Sequence, residues 1–186
     1  GRNSSIGHNV IVEGNLVVGN DTIIENGAIL KGNIVVGNHC HLSNYCYIEE
    51  YSTVGDHCVI NHCAELSGIM MEGVCLYHYM EFYGILGERV DLGAATVCGS
   101  LRFDDGQPRQ RVLGRTEIPN DYGDAVFIGD YCRTGVNAVL MPGVKVGPYS
   151  VVGASVLLNR DLPNNTYVFV KQQLEEKPWD YHKYGW

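Results

Sequence analysis

The stretch that decides the fold is IGHNVI VEGNLV VGNDTI IENGAI LKGNIV VGNHCH, residues 6–41, which repeats one pattern every six residues. An aliphatic residue opens each unit, and the fifth position carries a small or medium side chain such as Val10, Ala28 or Cys40. Neither the 3.6-residue period of an α-helix nor the alternation of a single strand produces a period of six. A hexapeptide repeat predicts a parallel β-helix, in which three units form one triangular coil.

The repeat runs regularly to about residue 67 and is then interrupted twice. Residues 68–86 replace the pattern with aromatic residues and methionines, and residues 99–124 are rich in Asp, Arg, Gly and Pro, which predicts an external loop. We therefore expect an all-β domain over residues 1–170 and a C-terminal tail over 171–186, with a short helical turn around 172–177. Because local inconsistency tends to mark functional sites, the two interruptions are where function is expected.

The composition narrows the class of protein. A net charge of -8 over 186 residues argues against nucleic acid or an anionic membrane surface as a partner. No apolar run is long enough to cross a bilayer, and no signal-peptide pattern opens the chain. Five of the seven cysteines (Cys40, Cys46, Cys58, Cys75 and Cys132) are predicted at the inward fifth position, where a free thiol acts as a small apolar group. Reduced core thiols fit a cytoplasmic protein.

Four segments carry a resemblance to a known family: LGAATV (92–97), LRFDDG (101–106), FIGDYCRTGVNAVLMPGVKVG (127–147) and NRDLP (159–163). Together with the repeat, they resemble the C-terminal left-handed β-helix domain of bifunctional sugar-1-phosphate nucleotidylyltransferase/acetyltransferases, in the archaeal-type branch. The resemblance implies a left-handed coil and a homotrimer with active sites between subunits. It also implies transfer of an acetyl group from acetyl-CoA to the amine of an amino-sugar 1-phosphate or nucleotide sugar. No Gly-rich nucleotide-binding start is present, so we expect a fragment, an excised domain or a stand-alone relative.

The same resemblance places His78 at the position of the family's general base. A protonated amine is not a nucleophile, and histidine is suited to remove its proton near neutral pH. Of the seven histidines, His78 is the one that falls inside an interruption of the repeat. The alternative is that His78 packs in an aromatic cluster with Tyr77, Tyr79, Phe82 and Tyr83.

The acceptor side of the site is expected at positions that match the family's sugar-phosphate contacts. Glu81 stands where the family has a tyrosine, Ser100 where it has an asparagine, and Asp91 at a further polar position. A lysine that contacts the phosphate corresponds to Ser67. Arg102 and Arg109 in the external loop supply guanidinium groups that bind phosphate well, unless they only balance the loop's own carboxylates.

The coenzyme side is expected along the later coils. Ala94 and Ala95 have small side chains that would let a pantetheine arm lie along a coil edge. Arg133, Lys145 and Lys171 are basic positions at which the phosphates of CoA are expected. The alternative for each of these three residues is ordinary surface charge.

Two other functions remain open at this point. The departures at Ser67, Glu81 and Ser100 motivate a non-catalytic β-helix that trimerises or regulates a sugar-1-phosphate nucleotidylyltransferase. A trimeric metal lyase similar to γ-class carbonic anhydrase is suggested by His57 and His62. A third histidine at the required distance upstream is missing from the sequence, so no metal site is expected.

Overall fold

The computed structural model describes residues 1–106, 108–121, 123–179 and 181–184, and it shows a left-handed parallel β-helix of about nine coils. The all-β fold with an external loop and a C-terminal extension, predicted from the six-residue period, is confirmed. Within the described ranges, no helix is long and apolar enough to cross a membrane.

The strands are short, as the hexapeptide unit requires, and one 3-10 helix follows them. In chain order the elements are β1 (Ser5–Ile6), β2 (Ile11–Glu13), β3 (Leu16–Val18), β4 (Ile23–Ile24), β5 (Ile29–Lys31), β6 (Ile34–Val36), β7 (His41–Leu42), β8 (Tyr47–Ile48), β9 (Thr53–Val54), β10 (Val59–Ile60), β11 (Glu65–Met70), β12 (Cys75–Leu76), β13 (Glu81–Leu86), β14 (Asp91–Leu92), β15 (Val97–Cys98), β16 (Gln110–Val112), β17 (Arg115–Glu117), β18 (Val126–Ile128), β19 (Arg133–Thr134), β20 (Val139–Leu140), β21 (Lys145–Val146), β22 (Val151–Val152), β23 (Leu157–Leu158), β24 (Tyr167–Val168) and the 3-10 helix Tyr181–Tyr184.

These strands form the three faces of a triangular prism. Face 1 is the nine-stranded stack β1, β4, β7, β10, β12, β14, β19, β22 and β24. Face 2 contains β2, β5, β8, β11, β13, β15, β20 and β23, and face 3 contains β3, β6, β9, β11, β13, β18 and β21. The six-residue strands β11 and β13 belong to both faces: in β11, Glu65 pairs with Tyr47 on face 2 and Ile69 pairs with Thr53 on face 3.

The core is a column of inward side chains that follows the repeat. Ile24, Leu42, Ile60 and Leu76 are opening residues that stack on face 1 and are at most 1% exposed. All seven cysteines are free thiols, and five of them are buried: Cys40, Cys46, Cys58, Cys98 and Cys132. The inward position predicted for Cys75 is wrong. Val74 fills the core there, and Cys75 lies half-buried on the outside of face 1.

The first interruption of the repeat turns out to be a shortened coil. β11 and β13 pass from face 2 to face 3 without a turn, at Gly68 and Gly84, whose φ angles are 137° and 142°. Stacked positions are 18 residues apart in the early coils, as Asn20 and Asn38 are, but 16 apart between His62 and His78. His78 therefore lies in a regular turn, and the prediction that it sits inside an irregular segment is wrong.

The second interruption leaves the prism between β15 and β18. It contains the antiparallel hairpin β16–β17, in which Arg111 pairs with Thr116. After β24 the chain continues without regular secondary structure through residues 169–179, so the helical turn predicted around 172–177 is wrong. Leu174 in this extension is 80% exposed.

Candidate active site

Two histidines meet at the corner between faces 1 and 2. His62 follows β10 and His78 follows β12 at the same position of successive turns. The Nδ1 atoms of the two rings are 3.0 Å apart, and Nε2 of His62 is 2.9 Å from the hydroxyl oxygen of Tyr79. Both imidazoles are half-buried. His78 is thus hydrogen-bonded through one ring nitrogen to a second histidine, at a corner that solvent and ligands can reach.

The aromatic cluster proposed as an alternative for His78 forms only in part. The rings of Tyr77 and Tyr79 are each 6.3 Å from the imidazole of His78, centroid to centroid. Phe82 is fully buried in the core of the prism. The contacts with Tyr77 and Tyr79 therefore agree with part of this alternative, and Phe82 belongs to the core instead.

The next coil presents small side chains beside His78. The backbone N–H of Ala95 donates a hydrogen bond to the carbonyl oxygen of His78 over 2.9 Å, which places Ala94 and Ala95 in the turn directly after it in the stack. The backbone N–H of Asn137 bonds in the same way to the carbonyl oxygen of Ala94. Because alanine side chains are short, this edge of the prism leaves room next to the imidazole for a narrow ligand.

A carboxylate with spare hydrogen-bonding capacity lies on the adjoining strand of face 1. Asp91 pairs in register with Cys75 on one side and Arg133 on the other. One of its carboxylate oxygens, Oδ2, is 4.0 Å from Nε of Arg133, and among the described residues the other, Oδ1, is buried without a hydrogen-bond partner. The charge of Asp91 raises the pKa of Tyr77, and with burial as the larger cause it helps raise the pKa of Cys75 to about 11. The side chain of Asp91 is 36% exposed although Oδ1 is not, so a ligand N–H or O–H would reach this carboxylate through Oδ2.

A second group of carboxylates lies on face 2 beside the histidine turns. Glu81 begins β13 three residues after His78, and it is directly opposite Glu65 of β11. Burial, followed by the charges of Glu81 and Glu49, raises the pKa of Glu65. This edge therefore attracts ammonium groups and sugar hydroxyls and repels a phosphate placed close to it.

The structure brings six predicted site residues to this corner: His78, Glu81, Asp91, Ala94, Ala95 and Arg133. The other five lie elsewhere on the chain. The external loop contains Ser100, Arg102 and Arg109, and it begins after β15, at the edge of face 2 away from the histidines. Lys145 lies on face 3, and Lys171 lies in the C-terminal extension.

Two of these distant cations already have carboxylate partners. The guanidinium of Arg102 donates two hydrogen bonds to the carboxylate of Asp104 in a bidentate ion pair, with nitrogen–oxygen distances of 2.9 and 2.6 Å. This pair lowers the pKa of Asp104 to about 2. Nζ of Lys145 is 3.6 Å from Oδ2 of Asp161. Phosphate binding by either residue would have to compete with these ion pairs.

The pair of histidines considered as metal ligands is separated by a strand. His57 precedes β10 and His62 follows it, so the two lie at different corners of the prism. The ring of His57 stacks instead on His39, with centroids 4.9 Å apart. No group of three His, Cys, Asp or Glu side chains placed to hold a metal occurs in the part of the chain that the structure describes.

Sequence reasoning considered His62 only as a metal ligand and Tyr79 only as a packing residue, and it missed the hydrogen bonds that connect both to His78. The signal was available: His62 and His78 each stand two residues after an opening aliphatic residue, Ile60 and Leu76. Residues at the same position of stacked coils are neighbours, but here the stacking depends on a coil of 16 residues rather than 18. The shortened coil had to be recognised before the two histidines could be paired.

Comparisons with known proteins agree with this architecture. The family model described as "Bacterial transferase hexapeptide (six repeats)" matches residues 125–160. The bifunctional protein GlmU of Methanococcus aeolicus is 33% identical over 171 residues, covering 91% of this chain and 41% of that protein. The bifunctional sugar-1-phosphate nucleotidylyltransferase/acetyltransferase of Sulfurisphaera tokodaii is 33% identical over 98 residues, covering 52% of this chain and 24% of the relative. The chain thus spans less than half the length of either relative.

A solved structure supports the fold. The UDP-N-acetylglucosamine acyltransferase from Campylobacter jejuni superposes with a TM-score of 0.54 at 15% identity, covering 86% of this chain and 64% of that one. At this identity the likeness concerns the fold and not the substrate. The chain is therefore a hexapeptide-repeat β-helix domain, and it is homologous to archaeal bifunctional sugar-1-phosphate nucleotidylyltransferase/acetyltransferases, which it matches over their C-terminal type of region.

Proposed function

We propose that this domain transfers the acetyl group of acetyl-CoA to the amine of an amino-sugar phosphate or nucleotide-linked amino sugar, with His78 as the general base. The observation that carries the proposal is the corner at His78. One ring nitrogen is held by His62, and the neighbouring turn carries Ala94 and Ala95. The name of the relative from Sulfurisphaera tokodaii, a sugar-1-phosphate nucleotidylyltransferase/acetyltransferase, supports this class of reaction.

The reaction needs one base and no resident cofactor beyond the co-substrate. Nε2 of His78 takes a proton from the acceptor's amine while the nitrogen attacks the thioester carbonyl carbon. A C–N bond forms, the C–S bond of acetyl-CoA breaks, and the electron pair leaves with the sulfur of CoA. The imidazolium of His78 then returns its proton to this thiolate, so the products are the N-acetyl sugar and free CoA.

The carboxylates around His78 influence which acceptor the site can bind. Glu81 and the exposed Oδ2 of Asp91 are placed to accept hydrogen bonds from sugar hydroxyls or from the ammonium group before it loses its proton. The same carboxylates disfavour an acceptor whose phosphate lies next to its amine. We therefore expect nucleotide-linked amino sugars, in which the diphosphate can lie further from the amine, to be better acceptors than hexosamine 1-phosphates.

The remaining predicted residues enter the proposal through a homotrimer. Within one chain, Ser100, Arg102, Arg109, Lys145 and Lys171 lie away from the His78 corner. In a trimer with the site between subunits, these five residues of a neighbouring subunit would complete the contacts with the phosphate and with CoA. We place the protein in the cytoplasm, and its seven free thiols fit that compartment.

Thiol release from acetyl-CoA tests the proposal. The wild type is compared with His78→Ala, with glucosamine 1-phosphate, galactosamine 1-phosphate and a UDP-linked sugar that carries its amine on C4 as acceptors. Loss of a positioned general base costs about 10²–10⁴-fold in rate, and a fall of this size is expected. His8→Ala is the control, because His8 stands two residues after Ile6, at the same turn position in the first coil. If turnover survives in His78→Ala, the assignment of His78 as the general base is wrong.

A second candidate function is a non-catalytic module that trimerises or regulates a nucleotidylyltransferase. The carboxylates at Glu65 and Glu81 and the pairing of Arg102 with Asp104 favour it, because both weaken a phosphate site. A folded trimer in light scattering that releases no thiol with any of the three acceptors would support this second function and contradict the first.

A further inference from the structure

His62 and His78 form a hydrogen bond whose direction matters for the chemistry. Their Nδ1 atoms are 3.0 Å apart, a normal distance for a hydrogen bond between two ring nitrogens. One neutral imidazole must donate and the other must accept, because each neutral ring has one N–H and one lone pair. The second nitrogen of His62, Nε2, is 2.9 Å from the hydroxyl of Tyr79, so both ring nitrogens of His62 are engaged.

Only two proton arrangements satisfy both contacts when the rings are neutral. In the first, Nδ1–H of His78 donates to His62, and Nε2–H of His62 donates to the hydroxyl oxygen of Tyr79. In the second, the hydroxyl of Tyr79 donates to Nε2 of His62, and Nδ1–H of His62 donates to His78. The first leaves a lone pair on Nε2 of His78, whereas the second leaves a proton there.

The two arrangements respond differently when His78 gains a proton. In the first, the proton arrives at Nε2, and Nδ1–H of His78 continues to donate to the neutral ring of His62. In the second, the vacant nitrogen of His78 is Nδ1, so protonation there removes the acceptor of the hydrogen bond. A base that must gain and return a proton in each cycle works without rearrangement only in the first arrangement.

We infer that His62 is a positioning residue, which accepts the Nδ1–H of His78 and thereby holds the Nε2 lone pair of His78 ready as the base. This inference rests on the proposed function, because the distances fit both arrangements and only the work of a base selects the first. The tautomer can nevertheless be measured on the protein alone. His62 accepts the hydrogen bond that a backbone carbonyl or a carboxylate accepts from many functional histidines, and the hydroxyl oxygen of Tyr79 accepts a hydrogen bond from Nε2–H of His62. His62 has no role in binding acetyl-CoA in this scheme.

The tautomer is measured first, on the full chain without substrate. Long-range ¹H–¹⁵N spectra of protein labelled with ¹⁵N-histidine distinguish an Nδ1–H ring from an Nε2–H ring, and the signals of His78 are assigned by their loss in His78→Ala. We expect the Nδ1–H form of His78 in the wild type and a mixture of both forms in His62→Ala. An Nε2–H form of His78 in the wild type would overturn the inference, whether or not the protein has transferase activity.

Kinetics of two substitutions at position 62 then separate positioning from mere packing. His62→Ala removes the acceptor and should lower kcat roughly 10- to 100-fold with the KM for acetyl-CoA unchanged. His62→Asn offers an amide oxygen to Nδ1–H of His78 and should restore much of kcat. His8→Ala again serves as the control for loss of a histidine at this turn position. If His78→Ala is inactive but His62→Ala retains the wild-type kcat, the proposed function stands and the role of His62 is refuted.

Discussion

At the scale of single residues, the carboxylates of face 2 work against the stability of the fold. Glu65 is directly opposite Glu81 on the neighbouring strand, and burial together with the charges of Glu81 and Glu49 raises the pKa of Glu65. A pKa that is higher in the folded chain than in the unfolded chain means that ionisation costs the folded state free energy. The cost is absent well below the ordinary glutamate value of 4.5 and complete once the pH exceeds the raised pKa.

Glu65→Gln should therefore stabilise the protein at neutral pH. Like charges opposite each other across two strands destabilise by an amount in the range of about 0.2–1 kcal/mol, so the melting temperature should rise by a few degrees at most. The gain should grow as the pH increases from about 4 to 8 and should vanish at the acid end. Thermal unfolding monitored by circular dichroism over this range measures it. The exposed turn residue Glu88 provides the control Glu88→Gln, and an equal gain in both variants would contradict the explanation.

The residue scale also shows what sequence reasoning could and could not say about the candidate site. Family resemblance pointed to His78, Asp91, Ala94 and Ala95, and the structure places these residues on neighbouring coils. The partner His62 was missed because its distance from His78 depends on how many residues the intervening coil uses. Cys75 was misplaced by one position for the same reason, since the count of six fails where a corner loses its turn.

At the scale of elements, the two long strands explain both the interruption and the shape of one corner. β11 and β13 carry six residues each and bend from face 2 to face 3 at Gly68 and Gly84. Omission of the turn leaves a concavity of about 280 Å³ at this corner, bordered by Tyr51 and Phe127. Of the aromatic residues that interrupt the repeat between residues 68 and 86, Tyr83 lines this concavity, whereas Phe82 belongs to the core. A pattern of six could not reveal the concavity, because the pattern assumes that every corner has a turn.

Gly84 and Gly114 both have a positive φ, and substitution of Gly84 by alanine should lower the free energy of unfolding more than the same substitution of Gly114. At Gly84 the φ is 142° and a Cβ would clash with the carbonyl oxygen of Val126, whereas at Gly114 the φ is 79° and a Cβ would meet nothing within 4 Å. Gly114→Ala should cost about 1–2 kcal/mol for the backbone conformation alone. Gly84→Ala should cost a further ~1–3 kcal/mol for the clash, because the stacked strand must move.

Urea unfolding of both glycine variants beside the wild type gives the two free energies of unfolding. A Gly84→Ala variant no less stable than Gly114→Ala would show that the corner can relax around a methyl group. That outcome would also mean that the absence of a turn, and not the glycine, determines the bend.

At the scale of the whole molecule, the coils form a nearly one-dimensional stack in which each coil contacts only its neighbours. The first coil has a neighbour on one side, and its opening residues Ile6 and Val12 are 58% and 41% exposed. The histidine corner lies on β10, β12 and β14, the fourth to sixth strands of the nine on face 1. The candidate site is thus carried by coils that are covered on both sides.

This arrangement predicts a stability gradient along the stack. Phe82→Ala removes a fully buried ring from β13, where coils lie above and below, and should cost about 3–5 kcal/mol in the free energy of unfolding. Ile6→Ala removes a half-exposed side chain from the first coil and should cost less than about 1 kcal/mol.

Hydrogen exchange followed by mass spectrometry should show the first coil exchanging by local opening and the coils around His78 exchanging only with global unfolding. Uniform protection along the chain would contradict the gradient. Rapid exchange at β12 and β13 would mean that the geometry on which His62 and His78 depend is not held by the stack.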